Sequence, residues 1–349
     1  MDMKKSIVSV GSLYGHTMIS KGKDCCENAQ LARLAVVDTY CDAMFSRYLA
    51  AHLPVEIVPP ERYMEADFLL YGDFGFRHAA FQGVKIFITG ENHAPNFCAC
   101  DYAFTHERVE NERHMRLPVW VQSWLWMNDE GRAVCVRDRA YTDPSNPPSS
   151  LRNRKFCNFV YRNPVCKQRN RFFHLLSRYK RVDSGGPLFH NMDGPVRDKV
   201  AFQKGYKFTI AFENESSPGY QTEKLWDALR AGTVPIYWGN RCVAEDFNPK
   251  AFISAFDFPN LQSLAAFVRR VDEDDELYVS YLNEPIYAEA GSLPRYEERF
   301  LRRWADILSR PGETLRSRSD RFRFALSQCY GHAMFYHLRR LSRWLRGKK

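Results

Sequence analysis

The chain has 349 residues, with 50 Lys and Arg against 41 Asp and Glu for a formal charge of +9, and it is 45% hydrophobic with 14% aromatics. This length suggests two domains of roughly 150 residues, and the apolar and aromatic content excludes a disordered or fibrous chain. The charge sits at one end: residues 316–349 hold ten Lys and Arg and one acid, Asp320, so the first 315 residues are neutral and do not describe a body that binds nucleic acid along its length.

The opening MDMKKSIVSVGSLYG has only a short apolar run, neither a cleavable leader nor a span of about 20 residues, so the expected location is cytoplasmic. Ten cysteines without C-x-x-C spacing read as reduced, mostly buried thiols. Between Ala29 and His52 the residues Leu31, Leu34, Val37 and Tyr40 or Cys41 fall at helical spacing, which predicts a helix. VEIVP (55–59), ADFLLYG (66–72) and VKIFITG (84–90) read as buried parallel strands ending at Gly or Pro. YTDPSNPPSSLRN (141–153) breaks both helix and strand and predicts a domain boundary near residue 150. Beyond it KFCNFVY, FTIAF, VPIYWG and AFISAF read as strands, and NRFFHLLSRY and TEKLWDALRAG as helices, the last stopping at Gly232. Two doubly wound α/β domains facing each other leave a cleft for a ligand.

The stretch YKFTIAFENESSPGYQTEKLWDALRAGTVPIYWGN (206–240) carries the chemistry. A strand delivers Glu213 and Asn214 at its carboxyl end, and a loop leads through Thr222 to a helix whose first turn holds Glu223 and Lys224. Such strand-end and helix-start positions take ligands in open α/β sheets, and helix N-termini favour anions. Lys224 there opposes the usual macrodipole preference, which suggests an anion between them, although an ordinary solvated lysine fits the same pattern.

This stretch strongly resembles the donor-binding signature of the α1,3/1,4-fucosyltransferases, glycosyltransferase family 10. The resemblance extends through FITGENHAPNF (87–97), DYAF (101–104), KFCNFVYRNP (155–164), RNRFFHLLSRY (169–179) and DFNPKAFI (246–253). It implies an α/β GT-B fold of two Rossmann-like domains facing across a cleft: an acceptor-binding domain over 1–150, a GDP-fucose-binding domain over 151–315, and a basic amphipathic tail over 316–349. It implies inverting transfer of L-fucose from GDP-β-L-fucose to the 3-hydroxyl of an N-acetylglucosamine or glucose unit, giving a Lewis-type product, with no metal or other cofactor required. By the same resemblance Glu91, in the GEN motif, is the general base, and Arg169 and Lys224 are the diphosphate-contacting cations. Glu223 would bind the ribose, and Asn214 and Tyr220 the phosphate and fucose region. Glu213 reads equally as a donor contact or a structural residue of the turn. A carboxylate is an ordinary weak base, so partial burial of Glu91 by Phe87 and Phe97 is expected.

Other residues read more plainly. Arg162 and Arg171 fit a solvated face, and Asp272–Glu276 a solvated acidic run rather than a metal site. His93 reads either as a loop histidine or as an aid to acceptor positioning. From Met334 onward, Leu338, Leu341 and Leu345 share a helical face with arginines elsewhere around the wheel, which describes an interfacial helix on an anionic membrane. The expected partners are therefore GDP-fucose, an N-acetyllactosamine-type glycan on lipid-linked precursors, and the inner face of the cytoplasmic membrane, with no nucleic acid. The competing expectations are an α1,4 linkage, another GDP-sugar, or a non-catalytic basic protein that binds membrane or nucleic acid.

Overall fold

The structure, a computed structural model, describes residues 31–136, 151, 153–317, 319–324 and 327. The first sheet holds β1 (Ala32–Val37), β2 (Val55–Val58), β3 (Phe68–Tyr71), β4 (Val84–Ile88), β5 (Tyr102–Thr105) and β6 (His114–Arg116) in the order β2-β1-β3-β4-β5-β6, every neighbouring pair parallel. FLLY, VKIFI and YAFT are buried at every position, as interior parallel strands covered on both faces must be. Their side chains alternate between two cores: Val84, Ile86 and Ile88 join Leu34 and Val36, whereas Phe87 joins Leu69, Tyr71 and Cys100.

The described part of the helix expected from Ala29 to His52 is instead a strand, Ala32–Val37, followed by a helix, Asp42–His52. Leu34 through Val37 are wholly buried, and Leu34 lies in register with Ile57 on one side and Phe68 on the other. A central strand has no polar face to reveal period two, so the spacing of Leu31, Leu34 and Val37 satisfied the helical template by coincidence.

The second sheet holds β7 (Lys155–Phe159), β8 (Val182–Ser184), β9 (Tyr206–Phe212), β10 (Val234–Trp238) and β11 (Ile253–Ser254) in the order β11-β10-β9-β7-β8, again parallel throughout. The strands expected at KFCNFVY, FTIAF and VPIYWG are present, and AFISAF supplies a two-residue edge strand. Each sheet reverses its strand order beside its first strand, between β1 and β3 and between β7 and β9. In open parallel sheets the crevice outside the carboxyl ends at such a reversal is where ligands bind.

A single apolar cluster joins the two layers. Trp120 packs 4.8 Å from Phe247, and Arg116 pairs with Asp246 at 2.6 Å. Trp226, on the helix Glu223–Arg230, donates to the Tyr287 hydroxyl at 3.0 Å. The helix Ser292–Leu308 carries the chain back to the first sheet, with Phe300 and Trp304 centred 5.0 and 5.7 Å from Phe104. Beyond it, Asp101 accepts from Thr314 Oγ1 at 2.7 Å, Leu315 N at 2.8 Å and Arg316 Nε at 3.0 Å. Arg316, the first basic residue of the expected tail, is thus buried against the body. Asp101→Ala would strand that guanidinium, and the expected loss is about 3–5 kcal/mol of unfolding free energy, read as a lower denaturant midpoint.

The acidic run differs from expectation at Asp272, which is buried and takes Lys180 at 2.5 Å and Lys207 at 3.0 Å. Asp274 instead caps the helix Asp275–Asn283 by accepting from Leu277 N, so the run spans a junction between two helices. Among the described residues no helix is long and apolar enough to cross a membrane, and no group of three or more His, Cys, Asp or Glu could hold a metal ion. The amphipathic segment from Met334 lies outside the described residues, as does most of 141–153.

Candidate active site

The reversal point of the second sheet gathers most of the residues singled out in sequence. Arg169, on the helix Lys167–Leu176, is fully buried, while Arg171 on the same helix and Arg162 before it are exposed as expected. Its guanidinium lies 4.0 Å from the centre of the Tyr161 ring, donates to Asn214 Oδ1 at 2.8 Å and also donates to the Asn163 carbonyl. Among the described residues no carboxylate pairs with it, and its Nε is buried without a hydrogen-bond partner. A buried cation with so little negative charge beside it is costly unless an anion completes the site.

Glu213, at the end of β9, is the keystone beneath the loop. Its fully buried carboxylate accepts from Thr222 N at 2.8 Å and Thr222 Oγ1 at 2.6 Å, and lies 3.2 Å from Lys224 Nζ. The structural alternative for Glu213 therefore describes its contacts. A Cβ on Gly239 would fall 2.5 Å from Glu213 Cγ, so Gly239→Ala is expected to displace this carboxylate and destabilise the fold by about 1–3 kcal/mol, measurable as a lower melting temperature.

Lys224 Nζ also bonds Thr222 Oγ1 at 2.8 Å and stands 3.9 Å from Glu223. Two protein carboxylates thus answer the unfavourable helix-dipole position of Lys224, and that position alone does not require a ligand. Burial by itself would lower the ammonium's pKa, but Glu213 and Glu223 outweigh it and hold the pKa above the ordinary lysine range. Lys199, which no local pattern had marked, pairs with Asp227 at 2.9 Å and Glu223 at 3.3 Å. Burial pushes the Glu223 carboxyl up, yet Lys224 and Lys199 pull it well below the usual carboxylate range. Glu223 and Lys224 therefore stay charged through neutral pH.

Across the cleft, the loop after β4 carries Glu91 and Asn92. Glu91 is exposed, and the burial expected from Phe87 and Phe97 is absent because those rings belong to the core on one face of the first sheet. Asn92 donates to Glu215 Oε2 at 2.7 Å and bonds His106 Nε2 at 3.1 Å, tying this loop to the loop after β9. His106, buried at the end of β5, meets the Tyr220 ring edge-on at 5.1 Å. Burial and then Arg116 lower its pKa to about 4, so it is neutral at working pH. Gly219, at φ +85°, lets the Pro218–Tyr220 turn approach, since a Cβ there would fall 2.5 Å from the His106 carbonyl oxygen. Burial, then the negative charges of Glu213 and Glu91 working against Lys224, push the Tyr220 hydroxyl above its ordinary range, which sets Glu91 within electrostatic reach of the loop after β9.

Two family models match the chain: the glycosyltransferase family 10 (fucosyltransferase) C-terminal model over residues 149–288, and the α-(1,3)-fucosyltransferase FucT N-terminal domain over residues 38–122. The α-(1,3)-fucosyltransferase FucT of Helicobacter pylori is 32% identical over 222 residues, 57% of this chain and 46% of the relative. The mouse GDP-fucose protein O-fucosyltransferase 3 is 35% identical over 185 residues, 49% of this chain and 37% of the relative. The chain thus spans less than half the length of these curated relatives. A crystal structure of an α1,3-fucosyltransferase with GDP superimposes with a TM-score of 0.66 at 25% identity, covering 84% of this chain and 95% of that one. The fold is GT-B, and the chain belongs to glycosyltransferase family 10, the fucosyltransferases.

Proposed function

We propose that the protein transfers L-fucose from GDP-β-L-fucose to the 3-hydroxyl of an N-acetylglucosamine or glucose unit of a glycan, with inversion at the anomeric carbon. The acceptor oxygen attacks fucose C1 as the C1–O bond to the diphosphate breaks, the hydroxyl proton passes to Glu91, and GDP leaves with the bonding electrons. Arg169 and Lys224 take up the charge that grows on the diphosphate, in a site whose cations are already fixed. Lys199 holds Glu223 ionised to accept hydrogen bonds from the ribose hydroxyls, and Asn214 and Tyr220 border the phosphates and fucose. The observation that carries the reading is Arg169, buried and among the described residues without a carboxylate, bonded to Asn214 next to Glu213, the carboxylate that holds Lys224.

The test is isothermal titration of GDP against the wild type and Arg169→Lys. A lysine keeps the charge but loses the planar fork, so GDP affinity is expected to fall about tenfold or more. Equal affinities would remove Arg169 from the diphosphate site. A second reading takes its motive from the similarity to a protein O-fucosyltransferase: the acceptor hydroxyl would belong to a protein side chain, and fucose would appear on polypeptide rather than on N-acetyllactosamine. For location, the basic residues beyond Ser317 support peripheral attachment to an anionic cytoplasmic membrane surface, where lipid-linked glycans would supply the acceptor.

A further inference from the structure

The first sheet has its own switch point, between β1 and β3, and the carboxyl ends there present a pair of side chains to which the resemblance assigns no role. Asp73 follows β3, and His93 lies in the loop after the neighbouring β4. His93 Nδ1 is 2.9 Å from Asp73 Oδ1, with the imidazole 60% exposed and the carboxylate 17%. The other Asp73 oxygen accepts from Thr89 Oγ1, and Thr89 Oγ1 in turn accepts the Glu91 backbone N–H at 2.9 Å. The His93 backbone N–H returns to the Glu91 carbonyl at 2.8 Å. One carboxylate thus fixes both the Glu91 backbone and the imidazole two residues along.

A carboxylate can only accept, so Nδ1 carries a proton toward Asp73, and in the uncharged tautomer that this selects Nε2 is the lone-pair acceptor. Among the described residues nothing bonds Nε2. A fixed, solvent-facing acceptor atom beside the Glu91 loop suits a hydroxyl donor, and a sugar offers adjacent hydroxyls. We propose that His93, oriented by Asp73, forms an acceptor subsite in which Nε2 receives a hydrogen bond from a hydroxyl of the acceptor glycan other than the one that is fucosylated. The subsite rests on the fucosyl-transfer reading and makes His93 a specificity-determining residue within it.

The experiment measures steady-state transfer from GDP-fucose to N-acetyllactosamine and to its set of monodeoxy analogues, with wild type, His93→Phe, His93→Gln and Asp73→Asn. Wild type should lose about tenfold in kcat/KM with one analogue whose reacting hydroxyl is intact, the loss expected when a positioned polar atom is left unpaired. His93→Phe should raise KM for N-acetyllactosamine by a similar factor, leave KM for GDP-fucose unchanged, and no longer distinguish that analogue from its parent. Asp73→Asn should weaken the same discrimination, because a neutral amide oxygen is a poorer acceptor for Nδ1–H than a carboxylate and holds the ring less firmly, and His93→Gln should partly restore discrimination through its carbonyl oxygen. If His93→Phe keeps the wild-type acceptor KM and the wild-type response to every deoxy analogue, the subsite is overturned while fucosyl transfer stands. If wild type transfers nothing to N-acetyllactosamine, the functional reading fails and takes the subsite with it.

Discussion

Glu91→Gln is expected to lower fucosyl transfer by about 10²–10⁴-fold, the range associated with removal of a general base, while GDP binds as before. The amide keeps the size of the side chain and cannot accept the proton. Glu91 is exposed and its loop is held by bonds from its backbone to the Thr89 hydroxyl and to His93, so folding does not depend on its charge. Paired measurements of kcat and GDP affinity check this. A rate within a few-fold of wild type would remove Glu91 as the base.

Lys224→Ala should act on binding and rate together, lowering kcat/KM for GDP-fucose by about 10²-fold or more and weakening GDP itself. The ammonium touches Thr222, Glu213 and Glu223, so its loss removes the cation proposed to meet the diphosphate and leaves the buried Glu213 without its counter-charge. A lower melting temperature accompanies the kinetic effect, and titration of GDP against the folded variant separates the two. The raised Lys224 pKa carries a further sign. Burial lowers it and Glu213 and Glu223 more than restore it, so Lys224 keeps its charge through the ordinary lysine range. GDP affinity should not decline through loss of that proton between pH 7 and about pH 9. A decline centred in that window would mean that the carboxylates do not hold the proton on Lys224.

Much of the cluster at the carboxyl end of the second sheet was legible because its signals are local. FTIAF ends in Glu213 and Asn214, TEK opens a helix, and VPIYWG is a run with no polar face; each was found where its composition placed it. What local pattern could not show is what depends on distant approach. Lys199 reaches Glu223 across 24 residues, and His106 meets Tyr220 only because the two domains pack. The return of Phe300 and Trp304 to the first sheet is equally silent in sequence, since an amphipathic helix does not name the surface it covers. The strand Ala32–Val37 was missed for the opposite reason, having no period to distinguish it from a buried helix. Asp73 carried no motif, and its pairing with His93 follows from the parallel register that sets the ends of β3 and β4 side by side.

The most direct test of fucosyl transfer is a product analysis: the protein is incubated with N-acetyllactosamine and an equimolar mixture of GDP-fucose and GDP-mannose, and the products are separated and their linkages determined. The account predicts one product, with α-linked fucose on the 3-hydroxyl of N-acetylglucosamine and GDP released in equal amount. Mannose in the product, fucose with retained β configuration, or GDP binding without any transfer by the folded protein would contradict it.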